Sequence, residues 1–465
     1  MIIAVFLFTF ILPLMVFKVP LQGDDLSYYK MLYGNKTKLA DFYEFQRLPL
    51  EGATLFYSYK LLIQQVNEPS ENLILFIYYL FHLLSAIMLY YFSAQLVLYL
   101  KTRMRTDQLT AYDDQLPILA ALLFLVMPIA LDSYANISLT VRNIALPLIL
   151  GCLILKLKYI SSEKASPGLL IGSIFLLLAA ISYYESYILY LFFGWGLLVL
   201  GKNLDLRIIK AQTIELLTII LLMSIKFMFG MNNMVSRGMN SNLMHLAKSI
   251  LLYCISIVLP HIHGLMLWTS PLYLLAMIYL VVILIRQLLA GRREIWFLAL
   301  LIACYLLGIS FNPYIILRAL YGIMPLIAIL GALLILKQPK IMIIVGLSGM
   351  IIFASVVALW QFYYLQDRTY NEVAALIKKV DALDSSRPQS LVYRTSSLGV
   401  RWLLIYDDLK INLAELPYNE IFKKDYSNIS LTVKLNKKDI NTKTGDPKKL
   451  INNMIEMLKS NWLGN

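Results

Sequence analysis

Charge is scarce in this chain: Asp, Glu, Lys and Arg make up 15% of its 465 residues, against 59% hydrophobic residues. Soluble domains carry about 25% charged residues, so a soluble protein of this size is excluded. The mean hydropathy of +0.69 places the chain in a membrane. Acid is scarcer than base, 28 residues against 41, for a net charge of +13. The basic residues sit mostly in short loops between apolar runs, where they orient the chain in a bilayer, so nucleic-acid binding is excluded. Cysteine is limited to Cys152, Cys254 and Cys304, all within apolar runs and without metal spacing. That excludes a disulfide framework and reads as inert core residues. Strict alternation is lacking in the apolar runs, which excludes a β-barrel. Internal repeats and low-complexity stretches are also missing.

What is present is a series of apolar runs, each long enough to cross ~30 Å of hydrocarbon as a helix. The expected spans are 1–17, 73–100, 116–131, 144–160, 168–184, 186–200, 211–229, 270–289, 295–311, 320–336 and 340–362. The first lacks a basic n-region and an A-x-A site, so it reads as an uncleaved helix. Fourteen basic residues fall on one side: Lys101, Arg103, Arg105, Lys156, Lys158, Lys164, Lys202, Arg207, Lys210, Arg286, Arg292, Arg293, Lys337 and Lys340. This puts the N-terminus in the cytoplasm and both the loop 18–72 and the tail outside. The stretch 246–267 is read as re-entrant, broken at Pro260 and Gly264, because a full crossing would send Arg286 to Arg293 to the outer face. The fold class expected is therefore an all-α polytopic membrane domain of about eleven helices over 1–362. A small extracytoplasmic α/β domain should occupy 363–465, with a helix over 368–383, strands at SLVYRTS and ISLTVKLN, and a closing helix at PKKLINNMIEMLKSNWL.

The chemistry-bearing residues gather on the outer side. Gly23-Asp24-Asp25-Leu26-Ser27-Tyr28 follows the first span directly, and carboxylates beside hydrocarbon need a partner or a task. Asp24 or Asp25 suits a general base, with the other acid orienting an acceptor hydroxyl or holding a divalent ion; the plain alternative is a charged helix flank. Arg318 lies at the outer end of a span, where a guanidinium either binds phosphate or snorkels to the interface. Arg142 and Arg237 are further outer cations, and Lys226 lies deeper in its span, as a phosphate or acid partner or an upward-reaching lysine. Glu185 is ringed by Tyr183, Tyr184 and Tyr187, which suits a sugar, an interfacial tyrosine belt being the ordinary explanation. His261 and His263 with His245 suggest a metal only weakly, since the His-x-His pair has no third ligand nearby in the sequence, leaving interfacial hydrogen bonding or contact with phosphate. Asp113-Asp114, on the inner side, reads as a helix start.

An N-terminal helix followed by an outer loop that opens with GDD and continues to FQRLPLEGATLFYSYKLL resembles the GT-C class of integral-membrane glycosyltransferases. Asp24-Asp25 with Arg47-Leu48-Pro49 further resembles bacterial O-antigen glucosyltransferases of the Gtr type, although Leu48 separates Arg47 from Pro49. The resemblance implies an acid/base carboxylate in this loop, a polyprenyl-phosphate sugar as donor and basic residues around the carrier phosphate. Its specific part covers about fifty residues.

The expectation is transfer of a hexose, glucose by the Gtr resemblance, to a lipid-linked glycan acceptor at the bacterial inner membrane, on its extracytoplasmic face. Asp24 and Asp25 would be catalytic. Arg318, Arg237, Arg142 and Lys226 would hold donor phosphate, and Arg47, Glu185, Tyr184, Tyr28 and His263 would bind substrate. No cofactor is demanded by the chemistry, and a divalent metal between the acids stays open. An O-antigen polymerase and a non-enzymatic lipid-linked sugar flippase are the competing readings. A flippase should show paired repeats and polar residues deep in several spans, neither of which is conspicuous.

Overall fold

A computed structural model describes residues 1–19, 39, 49–63, 72–104, 114–129, 134, 140–162, 166–200, 206–228, 242–259, 261–262, 265–266, 269–312, 317–382, 389–395, 410–412 and 429–435. Each of the eleven expected spans contains helix. The helices are α1 (Ile2–Val16), α2 (Pro49–Ile63), α3 (Asn72–Met104), α4 (Gln115–Val126), α5 (Ala145–Ser161), α6 (Pro167–Tyr183) and α7 (Leu191–Leu200). They continue as α8 (Leu206–Met228), α9 (Leu243–Val258), α10 (Ser270–Leu289), α11 (Arg293–Ser310), α12 (Met324–Leu336) and α13 (Ile341–Asp381). Five described helical stretches are long and apolar enough to cross a membrane: Asn72–Lys101, Ser270–Leu289, Arg293–Ser310, Ala319–Leu336 and Ile341–Arg368. The chain is a multi-pass helical membrane protein.

Burial separates the centre of the bundle from its lipid face. The stretch Ala319–Leu336 is 94% buried, whereas the most apolar stretches of α10 and α13 are 28% buried. A helix that is apolar on all sides is stable in the middle of such a bundle, and α12 holds that place. It packs on α4; α3 packs on α4 and α5, α5 on α6, α7 on α11, and α10 on α13. Lipid tails are as apolar as leucine, so these contacts are selected by close packing rather than by removal from water. Within α1, a π turn over Leu7–Ile11 ends two residues before Pro13. Proline lacks an N–H and its ring crowds the carbonyl four residues back, which a π turn accommodates.

At one end of the bundle the short connections carry the basic residues. There Arg207 donates to the Ser162 carbonyl and Lys337 pairs with Glu294 at 2.5 Å. Lys156 departs from the expected pattern of loop cations. It lies inside α5, 1% exposed, and its Nζ is 2.6 Å from Glu215 Oε2 on α8. An intramembrane carboxylate neutralises it, so it adds nothing to the charge asymmetry of the loops.

Three further sequence expectations are refined. The span 340–362 and the helix expected over 368–383 are one continuous helix, α13, of 41 residues. Of the three cysteines, Cys152 is buried, but Cys254 is exposed and Cys304 intermediate, so two stand on helix faces rather than in the core. The stretch 246–267 begins within α9, whose first turn is capped by Asn242 accepting from Met244 N–H at 2.9 Å. It then turns extended at Leu259, before Pro260, and enters a hairpin of β1 (His261–Ile262) with β2 (Leu265–Met266).

The tail contributes a three-stranded sheet of β3 (Gln389–Thr395), β4 (Lys410–Asn412) and β5 (Ile429–Leu435) in the order β3-β5-β4. β3 and β5 fall on SLVYRTS and ISLTVKLN and pair in parallel; β4 is antiparallel to β5. The closing helix expected near the C-terminus lies outside the described residues.

Candidate functional site

At the end opposite the basic loops, the chain turns back into the bundle through three short 3₁₀ segments, Val141–Ile144, Glu185–Tyr190 and Leu317–Ile323. Each leads into an α-helix, α5, α7 and α12 respectively, as a tight first turn does. Arg142, Glu185 and Arg318 each belong to one of them.

The segment with Arg318 is held from three sides. Tyr190 Oη donates to the Gly322 carbonyl at 2.5 Å, and Tyr305 Oη to the Ala319 carbonyl at 3.5 Å. The Tyr321 hydroxyl meets His82 Nδ1 at 2.8 Å. Gly322 is needed here, because a Cβ would collide with the Tyr305 hydroxyl. His82, fully buried on α3, uses both ring nitrogens: Nε2 faces the Leu125 carbonyl at 3.1 Å. A carbonyl only accepts, so Nε2 carries the proton, and in the neutral ring Nδ1 accepts from Tyr321. The Leu125 carbonyl is in the last turn of α4, where no helical partner is left for it. One histidine thus joins α3, α4 and the turn into α12, with Phe10 of α1 edge-on to its ring at 5.1 Å between centroids.

The first loop reaches the same end. α2 packs on α6 and on the segment carrying Arg142, Thr54 Oγ1 lies 3.2 Å from Tyr183 Oη, and Ser58 Oγ lies 2.6 Å from Tyr78 Oη. The segments 185–190 and 317–323 also touch one another. The turns of Glu185 and Arg318 are therefore in contact, the turn of Arg142 is joined to that of Glu185 through α6, and α2, a helix of the loop that contains Asp24 and Asp25, packs on α6 and on the Arg142 turn. Tyr184 is half-buried and packs edge-on to Tyr187 at 5.7 Å. Tyr187 is wholly buried, so a tyrosine belt facing lipid headgroups does not account for it.

Asp24, Asp25, Tyr28, Arg47, Arg237 and His263 lie outside the described residues. For Arg142, Glu185, Arg318 and Lys226, the last near the end of α8, backbone placement alone is described. Among the described residues no three His, Cys, Asp or Glu side chains gather as a metal site. Sequence reasoning passed over two residues at this end. His82 carried the signal of an ionisable side chain in the middle of an apolar run. Glu51, 5% exposed in the first turn of α2, carried only that of an acid at a helix start.

No family model matches the chain, and no curated protein does. Among solved structures it is similar to the crystal structure of ArnT from Cupriavidus metallidurans bound to undecaprenyl phosphate. The TM-score is 0.48 at 10% identity, over 92% of this chain and 88% of that one. Likeness at that level leaves function to be argued from the residues themselves.

Proposed function

We propose that this protein is a membrane glycosyltransferase of GT-C type that moves a hexose, glucose in the narrower reading, from a polyprenyl-phosphate sugar to a lipid-linked glycan such as O-antigen. The observation that carries the proposal lies at the bundle end away from the basic loops: α2 packs on the turn that bears Arg142 and on α6, α6 packs on the turn that bears Glu185, and that turn touches the one that bears Arg318. Chain connectivity limits how far the acid pair can stray from the exit of α1. Asp24 follows the buried Val19 by five peptide units, a reach of at most about 18 Å. By the positive-inside preference this end is extracytoplasmic, with the N-terminus in the cytoplasm of a bacterial inner membrane.

The reaction is a single displacement. Asp24 or Asp25 takes the proton of an acceptor hydroxyl, the oxygen forms its bond to the anomeric carbon, and the bond to the lipid phosphate oxygen breaks with that electron pair. Arg318, with Arg142, Arg237 or Lys226, stabilises the charge gathering on the leaving phosphate. Inversion at the anomeric carbon follows. Arg47, Tyr28, Tyr184, Glu185 and His263 bind the sugar and the acceptor. A paired phosphate is a competent leaving group, so the chemistry demands no metal. Transfer by purified protein, given a polyprenyl-phosphate sugar and a lipid-linked acceptor, tests the proposal. Movement of the lipid-linked sugar between leaflets with no new glycosidic bond would establish a flippase instead.

A further inference from the structure

The chain leaving α1 is caught between two distant helices. α1 stops because Phe17 is extended, with φ −111° and ψ 148°. Had the helix continued, Lys18 N–H would have donated to the Leu14 carbonyl. Both groups find other partners. Asn72 Nδ2, at the first residue of α3, donates to the Leu14 carbonyl at 2.8 Å and to the Phe17 carbonyl at 2.7 Å. Its Oδ1 accepts from Val19 N–H at 2.9 Å. Lys18 N–H donates to Asp367 Oδ1 of α13 at 2.9 Å, while Asn371 holds Oδ2 of the same carboxylate at 3.0 Å. The Lys18 ammonium lies 5.0 Å from the centre of the Tyr370 ring, and Phe17 lies edge-on to Trp360 and Tyr364. Two successive backbone N–H groups are thus fixed by side chains 349 and 53 residues away.

We infer that Asn72 and Asp367 are positioning residues for the acid pair: they clamp Phe17-Lys18-Val19 and so fix the point from which the loop with Asp24 and Asp25 departs. The inference rests on the glycosyltransferase reading above. Neither residue touches substrate; each acts through the backbone that it holds. Asp367 also belongs to the helix that runs on to Asp381, toward the tail sheet, so the clamp ties the start of the acid loop to the element that carries the tail.

The test uses the full chain in lipid nanodiscs and three variants. Asn72→Ala and Asp367→Ala each remove side-chain partners of the clamped backbone. Asp367→Asn keeps an Oδ1 able to accept from Lys18 N–H, and the Asn371 amide turns to present its own oxygen to the new NH₂. Hydrogen exchange of the Lys18 and Val19 amides is followed beside steady-state transfer from a polyprenyl-phosphate sugar. The alanine variants should exchange faster at these amides and lose kcat on the order of tenfold to a hundredfold with donor KM unchanged, since small misplacement of a reacting group costs that much. Asp367→Asn should restore both readouts. Faster exchange with an unchanged kcat overturns the inference, as does unchanged exchange in both alanine variants. A loss that appears in KM, or that Asp367→Asn fails to restore, also overturns it. A wild-type chain that transfers nothing takes the glycosyltransferase reading down with it, and the wild-type rate tells that outcome from failure of the clamp alone.

Discussion

Replacing Lys156 by Met should cost this protein about 3–5 kcal/mol, because it strands a carboxylate inside the membrane. The side chains of Lys156 and Glu215 are 1% and 2% exposed, and the ammonium nitrogen is 2.6 Å from Glu215 Oε2. That same oxygen also accepts from Gln212 Nε2 at 2.8 Å. Glu215 Oε1 and Gln212 Oε1 have no protein partner among the described residues, so the lysine supplies most of what stabilises the charge. Gly194 belongs to the same arrangement, since a Cβ there would run into the Gln212 side chain. Removing either ion alone leaves the other unpaired, so Glu215→Leu should cost a similar amount. Removing both with Lys156→Met and Glu215→Leu exchanges an ion pair for apolar packing of similar volume. That change is commonly neutral or mildly stabilising. The double variant should therefore recover most of the loss, with a coupling free energy of about 3 kcal/mol or more. Reversible unfolding in mixed micelles gives the four stabilities of the cycle. Single losses below about 1 kcal/mol, the level of an exposed pair, would refute the reasoning. So would losses that simply add.

Three further outcomes concern the other end of the bundle and the orientation of the chain. Tyr321→Phe leaves the buried His82 Nδ1 without its donor and should destabilise the protein by about 1–3 kcal/mol. A matching fall in thermal stability checks this, and wild-type stability in the variant would contradict the bonding assigned to His82. Gly322→Ala should disturb the turn into α12 more than Gly346→Ala does, because a Cβ at Gly346 meets nothing within 4 Å; proteolytic sensitivity of the purified variants distinguishes them. For orientation, single cysteines replacing Ser396 and Thr106 in a background without the native three should react oppositely with an impermeant maleimide from outside. The tail position is labelled and the loop position spared; the reverse would put every proposed site residue on the cytoplasmic face.

Helices were legible in the sequence because the bilayer leaves the backbone little alternative. The strands at 389–395 and 429–435 were legible from their β-branched composition. The helix over 368–383 was read as separate from the span 340–362 for an instructive reason. Composition changes there from apolar to mixed, yet no glycine or proline occurs from Met350 to Asp381, so nothing stops the helix that α13 forms. A change of solvent was taken for a change of structure. Lys156 was counted as a loop cation because its acid partner is 59 residues away, a pairing that only the packing of α5 on α8 reveals. Of the candidate site the sequence suggests residue types, and the structure describes the turns of Arg142, Glu185 and Arg318 that begin three helices. Its neighbours were not legible: His82 and Asn72 act by closing hydrogen bonds to backbone groups far along the chain, and no local pattern records such partners.

The central claim is that Asp24 or Asp25 is the base of a sugar transfer. Purified protein in nanodiscs, with a polyprenyl-phosphate glucose donor labelled in the sugar and a lipid-linked glycan acceptor, should yield labelled glycan with an inverted anomeric linkage. Asp24→Asn and Asp25→Asn should both insert and fold normally, and at least one should reduce kcat by roughly 10³-fold or more, the scale at which a positioned base contributes. Full activity in both variants would contradict the account.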